Sequence, residues 1–364
     1  MLREEYQISF NTPGFVGDAE QQSAWRTPPL KALLQHWWRV AVAKQHGYDW
    51  QKIREAEGRL FGHAWLKDGN GKDWAMGSRV RLKLATSNIG RLEKNKWQFN
   101  EQKVKHPEVG FGVGADLYLG FGPLLYAKEN KKTELKQNAI NAQDYNQLSL
   151  IYPKSEQTAF RQSLQLMHWF GTLGGRSRNG WGSIDLQEAV GATPTSRLKI
   201  LDNNVLLNGK AELTPFQRPL KECLTLEWPH AIGQDDKGVL IWKTEACTSW
   251  MGVMRKLAEI KINYRTSLSV IKPFDERQIL ALPVTHHTPK ELKNDRLASQ
   301  MRMKVIQHQN QYYGLVFHLP CKIPLEISGK LKGADAQSVI VNQTAIWCKV
   351  HQHLDKHLQR TGSK

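Results

Sequence analysis

The sequence has few of the features that mark membrane, disulfide-rich or zinc-ribbon proteins. It contains no uninterrupted apolar run of membrane length and no signal peptide, so we expect a cytoplasmic protein that does not enter a membrane. Its four cysteines are widely spaced and include no CxxC pair, which argues against a zinc ribbon and against a disulfide framework. We therefore expect neither a cofactor nor a resident metal ion.

The sequence also lacks a complete P-loop, although residues 171–183 are rich in glycine. Gly175 and Gly180 have the spacing of the two P-loop glycines. Trp181 and Gly182, however, stand where the motif needs lysine and then serine or threonine. No side chain could therefore reach the β- and γ-phosphates or Mg²⁺, and an NTPase is not predicted.

What the sequence has in excess is positive charge. The 364 residues carry a formal net charge of +17, from 51 Lys and Arg against 34 Asp and Glu. Residues 21–105 hold 17 of the cations and 7 of the acids, so the excess is concentrated. Neutralising phosphates releases counterions, and the chain's 13 tryptophans could stack on bases. Nucleic acid is the partner class that this composition favours.

The glycine-rich loop at residues 171–183 is the first candidate contact with nucleic acid. Glycine lets a backbone approach a ligand closely, and Arg176 and Arg178 add charge. Trp181 could stack on a base or pack beneath the loop. The alternative is a long turn whose arginines are simply solvated. The candidate RNA-binding residues in this loop are Gly174, Gly175, Arg176, Ser177, Arg178, Asn179, Gly180 and Trp181.

A predicted helix that follows Arg26 is the second candidate. Thr27 is a plausible N-cap with prolines in the first turn, and an apolar stripe at helical spacing predicts a buried face. The other side carries cations and one indole, which could lie along an RNA strand with Trp38 stacking on a base; a solvated helix face is the alternative. The candidate RNA-binding residues here are Arg26, Lys31, Trp38 and Arg39.

The order of predicted elements over residues 1–190 is strand, helix, strand, strand, helix, strand, with residues 117–122 interpreted as a short strand. This order is typical of a ferredoxin-like, or RRM-like, domain. A Pro/Thr/Ser stretch after Gly191 predicts a boundary, and residues 191–364 repeat the theme and end in a helix over 336–358. We expect an α+β protein of two ferredoxin-like domains, 1–190 and 191–364, with antiparallel sheets and loop insertions.

Several of these stretches together resemble a known family. Residues 26–39 have its arginine, proline pair and helix ending in Trp-Trp-Arg, and residues 54–62 its Arg-x-x-Glu and Phe-Gly element. Residues 118–122, 174–183 and 296–299 resemble its short glycine strand, its glycine-rich loop and a motif of its second half. In this combination the chain resembles the RAMP superfamily of CRISPR-associated proteins, most of all the first RAMP subunits of type III-B (Cmr) effector complexes.

The resemblance implies two RRM-like domains and a non-catalytic, RNA-binding subunit of a type III CRISPR complex in antiviral defence. Its partners would be guide CRISPR RNA, target RNA and other subunits of the complex. A RAMP-family endoribonuclease is the alternative, through Asp18 or Asp116 with a divalent metal or through His286 as a general acid or base. A basic assembly subunit that touches protein more than RNA is a third hypothesis.

Overall fold

The computed structural model describes residues 1–20, 22–67, 70–97, 102–129, 131–188, 200–272, 274–284 and 287–361. The helices are α1 (Thr27–Val42), α2 (Trp50–Phe61), α3 (Ala115–Gly120), α4 (Gln157–Phe170), α5 (Asn203–Leu207), α6 (Leu220–Cys223), α7 (Trp250–Thr266), α8 (Leu325–Ser328), α9 (Ala334–Val341) and α10 (Gln343–His357). The strands are β1 (Leu2–Phe10), β2 (His63–Lys67), β3 (Asp73–Met76), β4 (Arg81–Leu84), β5 (Lys103–Lys105), β6 (Gly112–Gly114), β7 (Leu124–Ala127), β8 (Lys132–Leu135), β9 (Tyr145–Tyr152), β10 (Ile184–Glu188), β11 (Gln217–Pro219), β12 (Ile232–Asp235), β13 (Gly238–Val239), β14 (Ile241–Lys243), β15 (Met301–His308), β16 (Gln311–His318) and β17 (Gln359–Arg360).

The chain forms two compact units. Unit 1 consists of Met1–Gln98, Gly122–Ser177 and Trp181–Val205, and unit 2 of Phe99–Phe121, Arg178–Gly180 and Leu206–Lys364. Two segments that precede residue 190 thus belong to unit 2. The expected boundary at 190/191 itself lies outside the described residues.

Unit 1 is built on a four-stranded sheet in the order β10-β1-β9-β4, with every neighbouring pair antiparallel. Alternate residues of β1 point into the core, where Tyr6, Ile8 and Phe10 are buried, as the period-two pattern predicts. Helices α1 and α4 pack together, and Trp37 contacts Phe170 with ring centroids 5.6 Å apart. The predicted α+β class with antiparallel sheets is confirmed for this unit.

Unit 2 contains a second four-stranded antiparallel sheet, in the order β15-β16-β14-β17. Its elements follow the chain as β14, α7, β15, β16, α10 and β17. In chain order, the four strands of the unit 1 sheet are β1, β4, β9 and β10, and those of the unit 2 sheet are β14, β15, β16 and β17. In both sheets the first of these strands lies between the third and the fourth. Residues 99–121 supply β5, β6 and α3, and α3 packs on α7.

Two local predictions from the sequence were wrong. Residues 117–122 do not form a strand: α3 covers most of them, because the run 117–120 is continuously apolar rather than alternating and buries Leu119 and Gly120. Thr27 is not an N-cap but the first helical residue. Arg26 occupies the capping position without a side-chain bond.

Two histidines face each other in the core of unit 2, and they make the stability of this unit depend on pH. His318 Nδ1 and His351 Nε2 are 2.9 Å apart, and both side chains are buried. Burial, with the neighbouring His351, lowers the pKa of His318 well below 6.5, and burial lowers the pKa of His351 to about 4. Both rings are therefore neutral at pH 7.

Lowering the pH from 7 to 4 is expected to destabilise unit 2 by about 3 kcal/mol through His351 alone. The unfolded chain takes up protons near pH 6.5, where the folded ring does not, so stability falls as the pH falls through this window. Urea unfolding at a series of pH values measures the slope. His351→Gln should flatten the slope. A slope in His351→Gln as steep as that of the unaltered protein would contradict the assignment.

Within the part of the chain that the structure describes, no helix is long and apolar enough to cross a bilayer.

Candidate nucleic-acid interface

The glycine-rich loop is tied down tightly at its base. The Leu173 N–H donates to Gly182 O at 2.8 Å, and the Asn11 N–H donates to Ser183 O at 2.7 Å. Gly182 has a φ of +62°, and a Cβ atom there would lie 1.9 Å from the carbonyl oxygen of Leu173. Only glycine fits this crossing, so the loop leaves and re-enters the fold at a fixed point.

The tip of the loop in unit 1 is exposed and lies on the segment after β1. The Gly175 N–H donates to Phe15 O at 2.8 Å. Gly174, with a φ of +94°, has no room for a side chain, since its Cβ would lie 2.5 Å from the same oxygen. Arg176 follows with a φ of +55°, unusual for a residue with a side chain, and its guanidinium lies beside Gly122. Gly174, Gly175 and Arg176 are all exposed.

Trp181 supports the loop from beneath. Its side chain is 0% exposed and packs between Phe15, at a ring-centroid distance of 5.2 Å, and Trp97, at 5.7 Å. Of the two roles open to this residue, packing under the loop is therefore the one that the structure supports. A buried indole is not available for stacking on a base.

Residues 178–180 of the same loop belong to unit 2. The Met303 N–H donates to Arg178 O at 3.0 Å, which adds this segment to the edge strand β15. The Asn179 side chain donates to Leu119 O at 2.8 Å and accepts from Lys261 Nζ at 2.6 Å. Asn179 is thus held by protein groups. Gly180 is buried, whereas Arg178 is exposed.

Arg302 lies on β15, the strand to which this segment is added. Burial, together with the like charge of Arg178, lowers the pKa of Arg302 to about 9.

Arg26 lies next to the unit 1 part of the loop. Its Nη1 donates to Gly17 O at 2.7 Å, two residues along the chain from the Phe15 oxygen that holds Gly175. The segment 15–17 thus joins Arg26 to the glycine tip. The structure brings together Arg26, Gly174, Gly175, Arg176 and Ser177, and we call these five residues the glycine-tip surface.

The remaining candidates on α1 face α2 instead. Trp38 is 3% exposed and meets Phe61 edge-on, with centroids 5.8 Å apart, so the predicted stacking of Trp38 on a base is wrong. Lys31 Nζ donates to Phe61 O at 2.9 Å, and burial lowers its pKa. Arg39 Nη2 donates to Glu57 Oε1 at 2.6 Å.

The carboxylate of Glu57 compensates the charge of Arg39. Its hydrogen bonds raise the pKa of Arg39 and outweigh the opposing effect of burial. The predicted cationic face of α1 is in large part its packing face against α2. RNA binding by Lys31 and Arg39 stays a prediction.

The strand directions show where these groups lie in unit 1. Because the sheet is antiparallel, β1 and β4 end, and β9 and β10 begin, at one end of it, which we call the loop end. The glycine loop runs into β10, and the segment 11–26 leaves β1, so both lie at the loop end. Arg39 is twelve residues into α1, about 18 Å along the helix from its start. The two predicted contact segments therefore do not form one surface along their whole length.

The residues considered for catalysis have structural contacts. Asp18 Oδ1 accepts the N–H of Gln22 at 2.8 Å in a turn, and Asp116 Oδ1 accepts the N–H of Leu117 at 2.7 Å at the start of α3. His286 lies outside the described residues. Across the described ranges, no group of three or more His, Cys, Asp or Glu side chains could hold a metal ion.

Two parts of the candidate interface were not predicted from the sequence. The segment 15–17 was not assigned, although an aromatic residue directly after the turn 11–14 is a signal for a packed rather than a free connection. Glu57 was recognised only as part of the Arg-x-x-Glu element, and its pairing with Arg39 depends on how α2 folds back on α1. Local spacing does not carry that information.

The part of the chain that carries the glycine-rich loop matches a known protein family. Residues 8–185 match the model of the RAMP superfamily, a span that runs from β1 through the glycine loop into β10. This part of the chain is similar to the proteins of the RAMP superfamily. A comparison with curated protein sequences gives no match.

Several solved structures are similar to the chain at low sequence identity. Cmr1 from Pyrococcus furiosus (apo form) is 15% identical, with 94% of this chain and 97% of that chain covered and a TM-score of 0.43. A chain of the type III-B Cmr-beta complex bound to cognate target RNA and AMPPnP is 14% identical, with 96% and 99% covered and a TM-score of 0.46. A chain of a type IV-B CRISPR complex is 12% identical, with 56% and 99% covered and a TM-score of 0.32. At these values the likeness does not define a function.

Proposed function

We propose that this protein is a non-catalytic, RNA-binding subunit of a type III CRISPR ribonucleoprotein in the cytoplasm. It would contact guide RNA, target RNA or both, beside other subunits of the complex. The similarity of residues 8–185 to the RAMP superfamily supports an RNA-related role, and the motifs shared with first RAMP subunits of Cmr complexes support the type III assignment. We further propose two ferredoxin-like domains, near 1–190 and 191–364, since both four-stranded sheets have the strand order of that fold.

The observation that carries the proposal is the glycine-tip surface. An exposed turn without side chains at Gly174 and Gly175 lets a phosphate approach the backbone, while Arg176 and Arg26 supply positive charge. The turn is pinned through Phe15 and supported by buried Trp181, so it is shaped before RNA arrives. Contacts to phosphate carry no sequence information, which suits a subunit that must accept any guide.

Binding of single-stranded RNA by the full chain should weaken steeply with salt, and Arg176→Ala should reduce the log–log salt slope by about one. The reason is the loss of one phosphate contact at an exposed position. Fluorescence anisotropy with labelled RNA at several salt concentrations measures both quantities. Arg161→Ala is the matched control, because it removes one exposed arginine from α4 and keeps the loop intact.

The same titration tests the other hypotheses. Arg39→Ala should have a smaller effect than Arg176→Ala, because Glu57 already compensates that charge. A salt slope near zero for the unaltered protein would favour the assembly subunit. RNA cleavage that requires Mg²⁺ or Mn²⁺ and is lost in Asp18→Asn or Asp116→Asn would favour the endoribonuclease.

A further inference from the structure

Besides the glycine-tip surface, unit 1 has a groove at the loop end of the sheet. A groove of about 310 Å³ opens between the connection that follows β4 and the start of β9. Trp25 lines it from one side, and Asn88, Ile89, Arg91, Tyr145 and Gln147 are among its other lining residues. This volume is at the lower limit of small-molecule sites and suits one nucleotide rather than a length of chain.

The walls of the groove are held by hydrogen bonds. The Trp25 N–H donates to Asn88 O at 3.0 Å, and the Gly90 N–H donates to Ser23 O at 2.7 Å. On the other side, Asn146 Nδ2 donates to Thr86 O at 2.9 Å and thereby joins the β4 connection to β9. The groove is therefore formed without a ligand.

The lining offers the chemistry that an unpaired nucleotide requires. Tyr145 is 66% exposed and Ile89 is 56% exposed, large values for apolar groups at a concave surface. Gln147 and Asn88 add side-chain amides that can hydrogen-bond a base edge, and the exposed guanidinium of Arg91 can bind a phosphate. The carboxylate of the lining, Asp144, accepts the N–H of Asn141 at 3.1 Å through Oδ2.

The groove continues the glycine-tip surface. Trp25 lines the groove, and the next residue, Arg26, belongs to the glycine-tip surface and donates to Gly17 O. From β10 to β4 the sheet spans three strand spacings, about 14 Å, so the tip and the groove lie within reach of one short strand. Arg81 and Lys83 are exposed on β4, the strand whose following connection lines the groove.

We propose that this groove holds one unpaired nucleotide of the RNA strand that the glycine-tip surface binds. The base lies on the ring of Tyr145, and its phosphate lies at Arg91. The proposal rests on the proposed function, because it assigns a second contact to the same RNA.

The test separates base stacking from charge. With single-stranded oligouridine and the full chain, Tyr145→Ala should weaken binding about tenfold and leave the salt slope unchanged, because a stacking contact is lost but no charge. Arg91→Ala should weaken binding and reduce the slope by about one. Tyr145→Phe should bind like the unaltered protein, and so should Tyr126→Ala, which removes an exposed tyrosine from β7.

A direct readout complements these affinities. Oligouridine that carries one 4-thiouridine should crosslink on irradiation to the peptide that contains residues 143–147, and the crosslink should be lost in Tyr145→Ala. If the unaltered protein binds RNA but Tyr145→Ala binds equally well and no such crosslink forms, the groove assignment is overturned while the proposed function stands. If the unaltered protein does not bind RNA, both are overturned.

Discussion

Replacing Gly182 with alanine is expected to lower the free energy of unfolding of unit 1 by about 4 kcal/mol or more, at the upper end of single-substitution effects. The new Cβ would lie 1.9 Å from Leu173 O, and the φ of +62° is unfavourable for any residue with a side chain. The backbone cannot shift easily, because Leu173 N bonds to Gly182 O and Gly182 N bonds to Pro13 O. Urea unfolding followed by circular dichroism measures the loss.

Gly47 provides the matched control for this substitution. It has the same φ of +62°, but no atom lies within 4 Å of the position that its Cβ would take. Gly47→Ala should therefore cost only about 1–2 kcal/mol, the backbone contribution alone. The difference between the two variants isolates the steric crossing at the base of the loop. Equal losses would mean that the crossing is looser than these distances indicate.

The periodic parts of the fold were predictable from the sequence. The alternation in β1 and the helical spacing of apolar residues in α1 and α4 identify these elements, because their patterns follow from which face is buried. The predicted α+β class with antiparallel sheets is confirmed, but one strand in the predicted order was misplaced, since the third strand of the sheet is β9. The strand predicted at residues 117–122 failed because its apolar run had no alternation to distinguish a strand from a short buried helix.

The candidate site was predictable only in part, and Trp38 shows why. The apolar stripe of α1 identified one buried face, but a second face is covered by α2, and this contact depends on tertiary packing. The indole at position 38 therefore had the same sequence signature whether exposed or buried. The exposure of the glycine tip was easier to predict, since closely spaced glycines and arginines favour exposed backbone next to charge. Arg39 could not be separated from Arg176 without knowing where Glu57 lies.

Replacing Arg360 with alanine is expected to destabilise unit 2 by about 3 kcal/mol at pH 7, the size of effect typical of breaking a buried ion pair. The Arg360 side chain is buried, lies over the ring of Trp242 and bonds to two carboxylates. Its Nη2 donates to Asp235 Oδ2 at 2.8 Å, and its Nε donates to Asp355 Oδ1 at 2.6 Å. Without the guanidinium, two partly buried negative charges would face each other.

The pH dependence of this loss gives the prediction its sharpest test. Burial raises the pKa of Asp355, but hydrogen bonds from Arg360, Trp242 and Lys237 outweigh it and hold the pKa at about 2. The stabilising contribution of Asp355 is thus complete above about pH 4, its unfolded range, and is lost as the pH falls through about 2. In Arg360→Ala the carboxylates would instead be protonated at higher pH, which relieves their repulsion.

The stability difference between the unaltered protein and Arg360→Ala should therefore shrink as the pH is lowered from 7 to about 3. Urea unfolding at each pH measures it, and hydrogen exchange of residues 235–243 reports the change locally. Arg360→Lys keeps the charge but not the forked geometry and should lose an intermediate amount. Arg3→Ala, which breaks the exposed pair with Glu5, should cost less than about 1 kcal/mol. A loss in Arg360→Ala that stayed constant with pH would show that packing against Trp242, rather than charge, is what Arg360 contributes.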